Sequence, residues 1–202
     1  MSRKEKNDIV ERMQISYFGF YCFKIREQKV SWLTDPASPK IGGLTMPKTE
    51  ADVVTISESL PQAYDLSRLK NQPFVIDGPG EYEIKGLAIR GFAVNGKFVY
   101  LGQLAGFRIV HLGSLVDLED KILEELDGVD ILLLKPDEKS QKMVREIEPA
   151  IVIPMAYEES ELARFCKEMG VEAEILEKLV INRGELGEET KVVSLQNLCR
   201  KT

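Results

Sequence analysis

Histidine is all but missing from this 202-residue chain: there is one, His111. That scarcity excludes a metal centre built on several imidazoles, the ligands that hold a borderline metal tightly and leave a coordination position open for water. Cysteine is scarce too. Cys22, Cys166 and Cys199 are far apart and none stands in a Cys-x-x-Cys spacing, which excludes a disulfide framework or a zinc knuckle and reads as reduced thiols in a reducing compartment. No apolar run approaches the roughly 20 residues of a membrane span. The N-terminus lacks the apolar core of a signal peptide, so no membrane association is expected and the cytoplasm is the expected compartment. Positive charge is in deficit, 27 Lys and Arg against 33 Asp and Glu for a net charge of −6. The chain therefore carries no basic stripe for a phosphate backbone, and no nucleic-acid partner is expected. The mixed runs Arg3-Lys4-Glu5-Lys6 and Arg200-Lys201 read as solvated ends. No linker, repeat or low-complexity segment interrupts the chain, so residues 1–12 form a polar lead and 13–202 a single domain.

What is present suits a soluble globular core: 44% hydrophobic and 30% charged residues. Short β-branched and aromatic runs at 13–18 and 21–25 flank Gly19-Phe20 and predict a hairpin, followed by a strand over 29–33. Further strands are predicted at 52–56, 74–76, 87–94, 98–101 and 107–112, separated by Gly78-Pro79-Gly80, Asn95-Gly96 and Ala105-Gly106. From there helices enter. Leu118, Ile122, Leu123 and Leu126 share a helical face, as do Met143, Val144 and Ile147. Leu162, Phe165, Cys166 and Met169 mark a third helix closed by Gly170, which makes Cys166 a core residue rather than a nucleophile. Strands at 131–134, 151–153, 179–181 and 191–195 complete the pattern. Strands followed by strand–helix alternation predict an α/β (α+β) fold in which packed sheets carry helices outside.

Five stretches carry a resemblance. They are Ile15-Ser16-Tyr17-Phe18-Gly19-Phe20-Tyr21-Cys22-Phe23; Thr34-Asp35-Pro36 with Pro39-Lys40-Ile41-Gly42; Ala51-Asp52-Val53-Val54-Thr55-Ile56-Ser57; Asp77-Gly78-Pro79-Gly80-Glu81-Tyr82-Glu83-Ile84-Lys85-Gly86; and Ile151-Val152-Ile153-Pro154-Met155-Ala156-Tyr157. In order and spacing they resemble the metallo-β-lactamase superfamily, in its small branch of bacterial metal-dependent hydrolases. The resemblance implies a four-layer αββα sandwich with a metal cleft at one edge between the sheets. It also exposes what has changed. Where the family places H-x-H-x-D-H, this chain has Glu58, Leu60, Gln62 and Ala63. The bridging aspartate after H-L-G is Ser114, the histidine of I-P-M-H-Y is Ala156, and the histidine of the opening hairpin is Phe20. The loop that carries a further histidine shrinks to Val94-Asn95-Gly96-Lys97. His111 matches a framework position.

A site that lacks its imidazoles and bridging carboxylate cannot generate the low-pKa bound water of metal hydrolysis. The sequence therefore predicts a degenerate, metal-free member with no cofactor, not an enzyme. Its expected role is interaction, scaffold or regulation as a homo-oligomer or paired with an active paralogue. Two alternatives stand beside it. One is a small-ligand module using a vestigial cleft of Phe20, Glu58, Ser59, Leu60, Gln62, His111, Ser114, Ala156 and Tyr157. The other is a hydrolase with non-metal or relocated-metal chemistry, for which His111 is the available base and Ser114, Ser57 or Ser59 the candidate nucleophile, although no G-x-S-x-G elbow is present. Glu58, Asp65 and Asp77 show no Ca²⁺-loop spacing. Glu81 and Glu83 share a strand face and read as framework, and the acidic run 158–161 complements a helix N-terminus.

Overall fold

The computed structural model describes residues 12–38, 43–58 and 64–201. The polar lead up to residue 11, the stretch Pro39-Lys40-Ile41-Gly42, and Ser59, Leu60, Gln62 and Ala63 lie outside the described residues. In chain order the strands of the first half are β1 (Met13–Tyr17), β2 (Phe23–Glu27), β3 (Val30–Thr34), β4 (Leu44–Thr45), β5 (Val53–Thr55), β6 (Phe74–Ile76), β7 (Gly80–Ile84), β8 (Leu87–Val94), β9 (Lys97–Leu104) and β10 (Phe107–His111). Then follow α1 (Asp120–Glu125), β11 (Ile131–Leu134), α2 (Ser140–Ile147), β12 (Ile151–Pro154), α3 (Glu159–Met169), β13 (Ala173–Leu176), β14 (Leu179–Ile181), β15 (Lys191–Leu195) and β16 (Arg200–Lys201).

These strands make two large sheets. One runs β14-β1-β2-β3-β5-β6 and the other β13-β15-β12-β11-β10-β9-β8-β7, while β16 and β4 form a separate pair. The β7–β10 run is an antiparallel meander. Its three turns place Lys85-Gly86, Asn95-Gly96 and Ala105-Gly106 at positive φ, the backbone that two-residue hairpins need to match strand twist. Past β10 the connections pass through helices, and β10, β11, β12, β15 and β13 are parallel neighbours. In the other sheet β3, β5 and β6 are likewise parallel.

Alternation along the strands produces the layers. Ile15, Ile25, Trp32 and Val53 from one sheet and Ile89, Tyr100, Ile109, Ile131 and Ile153 from the other share one buried cluster between the sheets. On the outer face of the larger sheet, Val110, Leu132, Leu134 and Val152 meet Met143, Val144, Ile147, Phe165 and Cys166 of α2 and α3. Cys166 is thus a core thiol, as its helical spacing predicts. The outer face of the smaller sheet buries Cys22, Leu33, Val54 and Ile56 against Met46, Ala51, Tyr64, Leu66 and Leu69. Among the described residues these covering segments are loops. The sandwich is the one the sequence resemblance implies. No helix among the described residues is long and apolar enough to cross a membrane.

Trp32, fully buried, sits in the core between the two sheets. Its indole Nε1 donates to Thr55 Oγ1 at 2.9 Å, and its ring lies on the backbone of Gly102, where an added Cβ would overlap the ring carbons. Gly102→Ala therefore forces the sheets apart or the indole off its hydrogen bond. The expected loss is on the order of 1–3 kcal/mol, read as a lowered urea midpoint with Trp32 fluorescence as the probe. An unchanged midpoint would refute this account of the inter-sheet contact.

Candidate active site

The carboxyl ends of the parallel strands in both sheets open onto the same edge, the position where α/β sheets bind ligands because loops there are free to vary. Asp35 follows β3, Ser57 and Glu58 follow β5, Ser114 follows β10, Lys135 follows β11 and Ala156 follows β12. Two contacts bring the sheets together here. Gly113 adopts φ +56° with its Cα against Ser57, so a Cβ would strike the Ser57 hydroxyl. The Phe98 N–H donates to the Ser57 carbonyl at 2.8 Å, which docks the β8–β9 hairpin tip beside Glu58.

The result is a cluster of three polar side chains. Ser114 Oγ donates to Glu58 Oε1. Lys97 Nζ lies 2.6 Å from Ser114 Oγ and 2.8 Å from Glu58 Oε1. The Lys97 ammonium and the Ser114 hydroxyl hold the Glu58 carboxyl below its ordinary value, outweighing the desolvation that pushes it up. Glu58 and Ser114 stand where the resemblance places a histidine ligand and the bridging aspartate. The cation between them belongs to the protein.

Behind this cluster lies a second, buried one. Asp35 accepts from the Ser57 N–H at 2.6 Å and from Ser57 Oγ at 2.5 Å, and its backbone is held at φ +33°. His111 is fully buried. Its Nε2 lies 2.9 Å from the Tyr21 carbonyl, an acceptor only, so Nε2 carries the proton. Its Nδ1 is buried with no hydrogen-bond partner among the described residues. Burial lowers the His111 pKa to about 4 and, against the pull of the Ser57 hydrogen bonds, raises that of Asp35 to about 7. His111 Nε2 and Asp35 Oδ2 are 3.9 Å apart. Serine, aspartate and histidine do meet here, but the carboxyl contacts the serine directly, whereas nucleophilic activation needs the imidazole between them. No hydrogen bond joins His111 to Ser114, so the combination of these two expected from sequence is not formed.

The remaining cleft residues line a hollow of about 490 Å³ formed by Tyr17, Phe20, Tyr21, Leu44, Lys135, Ala156, Tyr157, Glu158, Glu161 and Asn197. Tyr17 ties its walls together: its hydroxyl donates to the Phe20 carbonyl at 3.0 Å and accepts from the Ala156 N–H at 3.1 Å. Burial pushes that hydroxyl above its ordinary range. Tyr157 is fixed by a 2.7 Å hydrogen bond to Ser194. Tyr21 joins the hollow to the polar cluster, since its phenol lines the one and feels the charges of Glu58 and Asp35 in the other. Phe20, Ala156 and Tyr157 are therefore brought together, Glu58 and Ser114 pair separately, and His111 lies beneath both. Ser59, Leu60 and Gln62 fall outside the described residues.

A dinuclear metal does not fit these groups. Among the described residues no three His, Cys, Asp or Glu side chains converge. Phe20 and Ala156 offer no donor, and a fixed ammonium beside Glu58 opposes a second cation there. Lys97, Asp35, Tyr21 and Lys135 are participants that sequence patterns do not mark. Lys97 ends a plain hairpin turn, and the Phe98–Ser57 and Tyr100–Ile56 hydrogen bonds across the sheets bring it to Glu58.

Comparison with known proteins agrees with this fold. A family profile described as the beta-lactamase superfamily domain matches residues 14–156. A Thermotoga maritima structure, named as a candidate Zn-dependent hydrolase of the metallo-beta-lactamase superfamily, is 27% identical with a TM-score of 0.77, over 91% of this chain and 98% of that one. A metallo hydrolase from the archaeon Ignicoccus hospitalis shares the fold at 14% identity and a TM-score of 0.64, covering 85% of this chain and 99% of its own. A diiron β-hydroxylase from Streptomyces venezuelae does so at 13% identity and 0.55, over 85% of this chain and 54% of that one. No curated protein matches the chain. The expectation that the chain is not an enzyme is corrected by these relatives, which are named as hydrolases and a hydroxylase and so point to an enzyme family. Missing metal ligands argue against one chemistry; they do not remove the hydroxyl, carboxylate and ammonium that this cleft brings together.

The buried pair yields a pH signature. Native Asp35 keeps a proton that the unfolded chain releases above its ordinary value of 3.8, so its contribution to stability falls as pH rises through about 7. His111 works in the opposite sense, because the unfolded chain takes up a proton below 6.5 that the native state refuses until about 4. Between those limits the two slopes oppose. Asp35→Asn leaves the histidine alone, and its stability relative to wild type should decline on acidification from pH 6.5 to 4, with a slope approaching ~1.4 kcal/mol per pH unit. Urea unfolding across that range reads the difference; parallel profiles would sink the assignment.

Proposed function

The chain belongs to the beta-lactamase superfamily, and on that premise we propose that it is a hydrolase working without a metal, through Ser114, Glu58 and Lys97. The observation that carries this reading is the Ser114 hydroxyl held between a carboxylate acceptor and an ammonium donor, at the strand ends where ligands bind. The Thermotoga relative is named for zinc-dependent hydrolysis; here the hydrolysis carries over and the zinc does not.

The chemistry follows from the three partners. Ser114 Oγ attacks the carbonyl carbon of an ester while its proton passes to Glu58. The Lys97 ammonium stabilises the negative charge that develops during attack, a role in which a preoriented donor is worth most in a partly dehydrated cleft. Glu58 then protonates the departing alkoxide, leaving an acyl-Ser114 ester. Water attacks that ester with Glu58 again taking the proton, and the released acid and restored hydroxyl close the cycle. Because Lys97 depresses Glu58, the carboxylate is ionised at neutral pH but weakly basic, which makes for slow turnover.

Hydrolysis of aryl esters by metal-free protein, dialysed against a chelator, tests this. Ser114→Ala should abolish the enzymic rate, and Glu58→Gln should lower kcat by on the order of 10²–10⁴. Lys97→Met should reduce kcat and also move the acid limb of the pH–rate profile upward, since Glu58 loses the cation that depresses it. A Ser114→Ala protein as fast as wild type would overturn the reading.

A further inference from the structure

The hollow beside the polar cluster has a feature that the catalytic groups do not use. Lys135 lies half-buried at the carboxyl end of β11 and lines the cleft. Among the described residues its ammonium has neither an ion pair nor a side-chain hydrogen bond, whereas eleven of the other basic side chains do. An ammonium that is partly withdrawn from water and lacks a counter-ion favours an anion brought by something else.

The walls state what else that molecule must be. Phe20, Tyr21 and Tyr157 present aromatic rings to the hollow, beside Leu44, while the rest of its lining is largely polar. Its volume of about 490 Å³ falls in the range of roughly 300–1,000 Å³ typical of small-molecule sites. Two carboxylates also touch the cleft and must be weighed. Glu161 accepts the Glu158 backbone N–H at 2.7 Å and so faces the start of α3, and Glu158 is exposed at the rim, where solvent and salt screen it. Lys135 is the cation among the described residues that line the hollow.

The geometry points to a small aromatic or apolar carboxylate as the ligand of this hollow, its charged end on Lys135 and its body on Phe20, Tyr21 and Tyr157. The assignment rests on the hydrolase reading in one respect only. Tyr21 links the hollow to Glu58 and Ser114, so the substrate class is an ester that carries a free carboxylate at the far end of its acyl group. The scissile carbonyl then lies beyond Tyr21, toward Ser114.

Phenylacetate and phenylacetamide separate the claims, because they match in shape and differ in charge. Titrated into ¹⁵N-labelled full-length protein, phenylacetate should shift the amides of Tyr21, Lys135 and Tyr157 and bind at least tenfold more tightly than the amide. Lys135→Met should bring the two ligands to equal affinity, and Lys135→Arg should restore the preference. Ser114→Ala should bind phenylacetate as wild type does, which keeps this result independent of turnover. Equal affinities in the wild type, shifts confined elsewhere, or a preference that survives Lys135→Met would each overturn the assignment. Loss of ester hydrolysis as a property, with the phenylacetate preference intact, would overturn the hydrolase reading and leave the carboxylate site standing.

Discussion

The loops that follow β5 and β10 belong to different sheets, and everything chemical about this protein depends on their contact. Gly113 presses its backbone onto Ser57, and a side chain of any size at that position would separate the two loops. With the contact made, Glu58 and Ser114 come within a hydrogen bond of each other, and the β8–β9 hairpin adds Lys97 to the pair. A left-handed glycine is thus the hinge on which two otherwise independent sheets become one cleft. The buried Asp35–Ser57 contact stiffens the same junction from behind, and the strained backbone of Asp35 is held there by it.

The cleft also shows how a metal scaffold can change its electrostatics while keeping its shape. On the proposed reading, positive charge at this edge comes from Lys97, on a four-carbon stem, rather than from an ion with a fixed coordination shell. An ammonium offers three donors and no open coordination position, so it can orient a hydroxyl and stabilise an oxyanion but cannot ionise water as a metal does. In the proposed hydrolase, that difference places the nucleophile on the protein. It also accounts for the residues at the other ligand positions: Phe20 and Ala156, no longer asked to donate electrons, serve as wall and floor of the adjoining hollow.

Much of the architecture was legible in the sequence, because the sandwich depends on local patterns. Period-two runs named the strands, Asn95-Gly96 and Ala105-Gly106 named the hairpins, and the i, i+3, i+4, i+7 stripe from Leu162 to Met169 named the helix whose Phe165 and Cys166 are buried. The short strands β4, β13 and β16 carry no such pattern and exist because neighbours supply their hydrogen bonds. The site was legible only as a set of absences. A motif scan registers that histidines are gone, yet it has no means of seeing that Lys97, almost forty residues from Glu58, fills the gap. That juxtaposition is made by hydrogen bonds from β9, Phe98 N–H to Ser57 and Tyr100 Oη to Ile56, onto the segment that follows β5 in the other sheet. The sequence placed Ser114 beside His111, three residues away in the chain, whereas His111 Nε2 is engaged by the Tyr21 carbonyl and Ser114 by Glu58.

The order in which the sheets close has its own consequence. The β7–β10 meander is contiguous and joined by two-residue turns, so its contacts are local and can form early. The smaller sheet is another matter: its edge strand β14 pairs Ile181 with Met13, from opposite ends of the domain. During synthesis, β1 emerges long before the partner that covers it. Until β14 is made, β1 remains an open sheet edge, and a nascent chain is at its most vulnerable to pairing with a neighbour there.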